Sequence, residues 1–300
     1  MRYYAWLLLM GSAGLVRADP RVQHMMERIS EEASVFAQQA PNVIGQETLQ
    51  QRALKPSRRF HPRIGEAALE QPKPEWQTRE IISEYGFSAF SSKPGVLHEF
   101  RRVTAVDGRK VEQKDKALDA LAKSITSNSD NQKRRALKDF EKYGLLGAAS
   151  DFGQLILMFS RSNLDKYEFN VEGPRLLGAE RALVFSYKQM DGAQGLTIFA
   201  DGKALHERLE GEIWVRASDY LPLRITIVSV RGEGQKGVRE QAQVDYVMTQ
   251  YGFELPISVV HSEYRARGPV AENRFQYSNF KRFGADAQID FTAVPEPPAK

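Results

Sequence analysis

Residues 223–251 read LRITIVSVRGEGQKGVREQAQVDYVMTQY, and this stretch decides the fold class. Leu223, Ile225 and Ile227 alternate with Arg224 and Thr226, and Val244, Tyr246 and Met248 alternate with Asp245 and Val247. A period of two sends successive side chains to opposite faces of a strand. The connector, Gly232-Glu233-Gly234-Gln235-Lys236-Gly237, is too short for the crossover that parallel neighbours need, so the two runs predict an antiparallel hairpin. The same six residues match G-x-G-x-x-G, but a dinucleotide site needs a helix opening at the last glycine within a βαβ unit. A strand pattern follows here instead.

The alternation extends outward from this hairpin. Strand-like runs cover 167–172, 182–190, 195–200, 212–216, 223–231, 238–251, 257–267 and 272–283, punctuated by Asp191-Gly192, Asp201-Gly202, Tyr251-Gly252 and Arg267-Gly268-Pro269. In the second run Leu183, Phe185 and Tyr187 oppose Ala182, Val184 and Ser186. Upstream, Val22, Met25, Met26, Ile29, Ala33 and Phe36 recur at helical spacing after Asp19-Pro20 and stop at Pro41. Strands are expected at 42–54, 78–90 and 96–106, with a tight turn at Asp107-Gly108 and a short return at 109–111. Helical period then appears three times, through Leu118, Leu121 and Ile125, through Ala136, Leu137 and Phe140, and through Phe152, Leu155, Ile156 and Phe159. The expected fold is α+β: a large curved antiparallel sheet, a half-barrel, with an N-terminal helix and three short inserted helices. The domain spans 19–291 with a helical insertion at 115–160, an irregular Pro- and Arg-rich loop at 54–74 and a Pro-rich tail at 292–300.

The first residues carry an address. Arg2 precedes a nearly unbroken apolar run from Ala5 to Val16, and Val16-Arg17-Ala18 has the small or aliphatic residues of a cleavage site at −3 and −1. As a helix this run of twelve residues would reach roughly 18 Å, short of a hydrocarbon core about 30 Å thick. The expectation is a signal peptide, 1–18, cleaved after Ala18, and a periplasmic or secreted mature chain. No Cys follows the run, which excludes the acylated N-terminus of a lipoprotein. With no Cys anywhere in the chain there is no disulfide, thiol nucleophile or Cys-ligated metal. A domain of this size can dispense with staples.

Other chemistries find little support. A formal net charge of +4 is too small for a nucleic-acid footprint. His24, His61, His98, His206 and His261 never pair at metal-ligand spacing, and neither H-E-x-x-H nor G-x-S-x-G occurs. No catalytic residue, metal site or cofactor is assigned, and the chain reads as a non-enzyme. Two basic clusters stand out: Arg52, Lys55, Arg58, Arg59 and Arg63, and Lys133-Arg134-Arg135. Each suits a solvated surface, or contact with anionic lipid headgroups.

An ordered series of short motifs then resembles a known family. Gly211-Glu212-Ile213-Trp214-Val215-Arg216, Tyr220-Leu221-Pro222-Leu223-Arg224-Ile225, Val244-Asp245-Tyr246, Tyr251-Gly252-Phe253-Glu254-Leu255-Pro256 and Tyr277-Ser278-Asn279-Phe280 resemble, in that order, the periplasmic lipoprotein-carrier group of LolA/LolB-like half-barrels. The resemblance covers roughly residues 155–283 and implies a curved sheet wrapped around helices with acyl chains held on its concave side. It transfers no ligand residue. As partners it implies a lipid or lipoprotein acyl chain, or another envelope protein, and no nucleic acid or membrane span after processing. By alternation, the apolar-ligand candidates are Leu183, Phe185, Tyr187, Leu223, Ile225, Ile227, Val244, Tyr246 and Met248, expected to form one surface. If helices roof that surface incompletely it is a pocket, and if completely it is the core of a structural or adaptor protein.

Overall fold

The structure, a computed structural model, describes residues 19–56, 74–145, 152–190, 197–200, 203–206, 208–231, 237–265 and 268–282. The expected signal peptide, most of the 54–74 loop, the glycines of 232–236 and the Pro-rich tail lie outside them.

Helix α1 (Pro20–Gln39) begins where the sequence predicts: Asp19 caps it, accepting from the Arg21 amide at 2.9 Å, and Pro20 supplies the first turn. Met25, Ile29, Ala33 and Phe36 form its buried stripe. The chain then builds β1 (Val43–Pro56), β2 (Pro74–Phe90), β3 (Lys93–Val106) and β4 (Arg109–Lys110), followed by α2 (Lys114–Thr126) and α3 (Asp130–Glu141). A 3-10 turn at Leu155–Phe159 stands where a third short helix was expected; 3-10 geometry is normal for so short a piece. The remaining strands are β5 (Tyr167–Leu177), β6 (Glu180–Gln189), β7 (Thr197–Ala200), β8 (Lys203–His206), β9 (Arg208–Arg216), β10 (Pro222–Arg231), β11 (Val238–Met248), β12 (Glu254–Arg265) and β13 (Gly268–Arg282).

Eleven strands form one open antiparallel sheet in the order β4-β3-β2-β1-β13-β12-β11-β10-β9-β6-β5, and β7 and β8 pair separately. The α+β class with a large antiparallel sheet is therefore as expected from the alternation. β10 and β11 pair up to Arg231 opposite Val238, so the glycine-rich hexapeptide joins two strands of a hairpin and opens no helix.

Register explains the core. One row of side chains crosses the sheet from strand to strand: Val171, Phe185, Ile213, Ile225, Val244, Val259, Phe275, Leu49, Ile81 and Val106. Apolar residues directly opposite one another across antiparallel pairs are the unit of sheet stabilisation. The row's inner face meets α1 and the 155–159 turn in a single core cluster.

The inserted helices do not all roof this face. On β1 and β3, Ile44 and Phe100 point opposite to Leu49 and Val103, and they pack with Leu121 and Ile125 of α2 in a second cluster on the outer face. Gly86 admits α2 there, since a Cβ at that position would lie 2.7 Å from Ile125 Cδ1. Helix α3 spans both sides. Its Ala136 and Leu137 pack on the outer cluster, while Phe140 joins the inner core.

Candidate functional site

Six of the nine ligand candidates, Phe185, Tyr187, Ile225, Ile227, Val244 and Tyr246, belong to the inner core cluster, and Leu183 packs against it. Leu223 and Met248 lie outside that cluster. Met248, 36% exposed, is the last residue of β11, and Leu223 is the unpaired residue at a register shift between β10 and β9. Bulges of this kind turn side chains away from the face that strict alternation assigns them.

Two of the candidate tyrosines tie down backbone. Tyr187 donates to the Thr226 carbonyl at 2.8 Å. Tyr246 donates to the Gly153 carbonyl at 3.1 Å and accepts from the Ile156 amide at 3.1 Å. Tyr246 thus pins the cover, residues 152–159, to the inner face. At Gly153 the cover approaches so closely that a Cβ would lie 2.6 Å from Glu99 Oε1 and 2.8 Å from Tyr85 Oη. Phe152, at its start, lies against the His261 ring with centroids 4.6 Å apart.

Under the same cover lies a charged cluster that alternation alone did not single out. Arg101 of β3 faces inward between Leu97 and Val103, and its Nε lies 2.9 Å from both carboxylate oxygens of Glu47 on β1. Its Nη2 bonds Glu99. Glu47 and Glu99 side chains have no solvent exposure and Arg101 has 3%. The rings of Tyr85, Phe140 and Phe275 surround the guanidinium at 5.4, 5.0 and 5.8 Å. Burial opposes the Arg101 charge, but Glu47 and Glu99 outweigh it and hold the guanidinium well above its ordinary range. Burial first, then the Glu99 charge, pushes the Tyr85 hydroxyl well above its usual value. Tyr277 is raised in the same way. A crevice of about 310 Å³ reaches this cluster from the sheet edge, between β3 and the end of α3, with Arg101, Arg102, Glu112, Phe140 and Tyr143 among its walls.

A second buried acid lies between α1 and the sheet. Glu254 of β12 is 2% exposed, and burial, reinforced by the charge of Glu32 on α1, raises its pKa to about 9. Arg28 pairs with Glu32 at 2.6 Å.

The basic clusters divide. Lys133 is neither solvated nor free to meet a headgroup: it is 5% exposed, with Nζ 2.9 Å from Ser88 Oγ and 2.5 Å from the Ala89 carbonyl. Burial lowers its pKa. Arg134 and Arg135 stay exposed. Arg52 pairs with Glu272 at 3.3 Å and lies over Trp76, whereas Arg58, Arg59 and Arg63 fall outside the described residues. Among the described residues no group of three or more His, Asp or Glu could hold a metal ion.

The class defined by this geometry is an α+β half-barrel, open at two edges, with an apolar inner row and a charged cluster under one cover. No family model matches the sequence, and no curated protein matches it. Three solved structures are similar. A putative outer membrane lipoprotein-sorting protein domain from Vibrio parahaemolyticus is 10% identical over 89% of this chain and 95% of its own, with a TM-score of 0.33. A DUF1329 family protein from Desulfovibrio piger is 9% identical over 89% and 94%, with a TM-score of 0.37. A LolA superfamily protein from Nitrosomonas europaea is 13% identical over 87% and 93%, with a TM-score of 0.30.

Proposed function

We propose that this protein is an exported, non-enzymatic binder or carrier of an acyl chain or another apolar molecule, working in the periplasm, and that the described form is its closed state. The observation that carries the reading is the Glu47–Arg101–Glu99 cluster, three charged side chains set at almost no exposure among the aromatic rings of the inner face. Buried charges are costly to desolvate and add little net stability, so a purely structural core gains little from them. A ligand site, by contrast, combines apolar walls with a few fixed polar groups. In this reading the apolar part of the ligand takes the space of the 152–159 cover along the inner row, and its polar end meets Arg101 from the edge crevice. Among the described residues no helix is long and apolar enough to cross a membrane.

One observation favours the second reading, an envelope structural or adaptor protein: Phe185, Ile213, Ile225 and Val244 have 0% exposure, so no water-sized space touches them in this form. Titration of solvent-extracted, refolded protein with a fluorescent fatty acid separates the two. The carrier takes up the probe, and solvent extraction of the protein as purified releases a lipid. Absence of both leaves the structural reading.

A further inference from the structure

The two edges of the sheet are unlike. At one, β4 returns along β3 and α3 packs beside them. At the other, β5 pairs with β6 alone. Among the described residues, no backbone hydrogen bond ties residues 167–177 to any further element. An unpaired edge is a template for another strand unless it is blunted. The second half of β5 is blunted, with a register shift at Val171/Gly173, Gly173 at φ 106 and Pro174 after it. Residues 167–171 pair with β6 without interruption, and Glu172 is the unpaired residue at the shift.

Those six residues alternate cleanly. Tyr167, Phe169 and Val171 turn inward and pack in or against the core, with Phe169 6.1 Å from the ring of Phe159. Glu168, Asn170 and Glu172 are exposed on the outer face. Glu168 and Asn170 have no hydrogen-bond or ion-pair partner among the described residues, and Glu172 accepts only from Ser186, at 2.6 Å. The outer face beside them continues acidic: Glu210 and Glu212 on β9 against Lys188 on β6 and Arg175, which pairs with Glu212 at 3.0 Å. Four acids face two bases, on a chain whose overall charge is positive.

We propose that the 167–172 edge of β5 is a docking site for an extended segment of a partner protein, added as a twelfth strand. The segment carries Lys or Arg at the alternate positions facing Glu168 and Glu172 and apolar residues between them. Main-chain bonding supplies affinity in such strand addition, and alternate side chains supply selectivity. A second copy of this chain fits badly, because two-fold pairing about Asn170 sets Glu168 against Glu172 of the other copy, and like charges directly opposite are destabilising.

The test uses the full mature chain and three synthetic peptides of equal length: alternating Lys and Val, alternating Glu and Val, and the Lys–Val peptide N-methylated at alternate residues. The Lys–Val peptide is expected to bind at least tenfold more tightly than the Glu–Val peptide and to protect the β5 amides from hydrogen exchange. The N-methylated peptide, with the same charge and side chains, is expected not to bind. In E168K/E172K, whose fold is checked by circular dichroism, the preference for Lys–Val over Glu–Val reverses. Equal binding of all three peptides, binding that spares the β5 amides, an unchanged preference in the double variant, or dimerisation of the chain through β5 without peptide would each overturn the proposal.

Discussion

The two halves of the inner face are built on opposite principles. Across β6, β9, β10 and β11 the face carries no buried charge among the described residues and is mostly hydrocarbon and aromatic, with Gln189 and Ser229 as buried polar members, and its Phe185, Ile213, Ile225 and Val244 meet strand to strand in one row. Across β1, β2 and β3 the same face carries Glu47, Arg101 and Glu99, wrapped by Tyr85, Phe140 and Phe275. Each half is equally dry. In the first, burial is itself the driving force, at roughly 25 cal/mol for each Å² removed from water. In the second, burial is opposed by the solvation of three charges, and only their mutual pairing offsets it. Equal burial in the two halves therefore does not mean equal stabilisation.

Breaking the charged half by one residue gives the largest expected effect. Arg101→Met leaves two carboxylates buried without their cation and should cost about 3–5 kcal/mol, read from urea midpoints. Replacing all three, with Glu47→Leu, Glu99→Leu and Arg101→Met together, should return stability to the wild-type value or raise it by about 1–4 kcal/mol. The same triple variant should lose fatty-acid uptake while remaining folded. A triple variant as unstable as the single one would show that the cluster is structural.

In the apolar half, Ile225→Ala should cost about 2–5 kcal/mol through lost transfer energy and a cavity in the central row. A cost below about 1 kcal/mol would mean that the row is less tightly filled than its zero exposure implies. Tyr246→Phe sharpens the comparison at the seam. It removes the hydroxyl that links the Gly153 carbonyl and the Ile156 amide, leaving both buried groups without that partner, at about 1–3 kcal/mol. Its effect should fall on protection of the cover more than on that of the strands.

A further effect is a slope with pH. Glu254 keeps its proton in the folded chain up to about pH 9, whereas the unfolded chain releases it near 4.5, so the folded state binds more protons between those values. Stability from this group is complete below pH 4.5 and declines as pH rises toward 9, by at most about 1.4 kcal/mol per unit. Glu32 is shifted in the same direction, mainly by burial. Glu254→Gln should flatten the decline, seen as the difference between variant and wild-type midpoints across that window. An identical slope in both proteins would remove Glu254 as its source.

The sequence made the apolar half legible and the charged half not, for a physical reason. Alternation of Phe185 and Tyr187 with Val184 and Ser186, or of Ile225 and Ile227 with Thr226, reveals which side chains share a face. It reveals neither bulges nor where a strand leaves the core, so it carried Leu223, at a bulge, and Met248, at the end of β11, into a surface that they do not join. Glu47, Glu99 and Arg101 read as ordinary polar residues of strands that meet water on one face. A weak signal was present: Glu99 and Arg101, two apart, share a face with Leu97 and Val103, and Glu47 shares one with Leu49. The outer position of α2 was hidden likewise, since Ile44 and Phe100 fall on the opposite phase and Gly86 marks the contact only once Ile125 is seen against it. Lys133, within a basic run, gave no hint of the carbonyl that it meets.

Hydrogen exchange at the Ile156 amide, with and without palmitate, tests most directly whether the cover yields to a ligand. This amide donates to Tyr246 Oη and belongs to the cover, not to the sheet. The account predicts that saturating palmitate abolishes its protection while the amides of β9, β10 and β11 remain protected. Binding of palmitate with Ile156 protection unchanged, or failure of palmitate to bind at all, would contradict it.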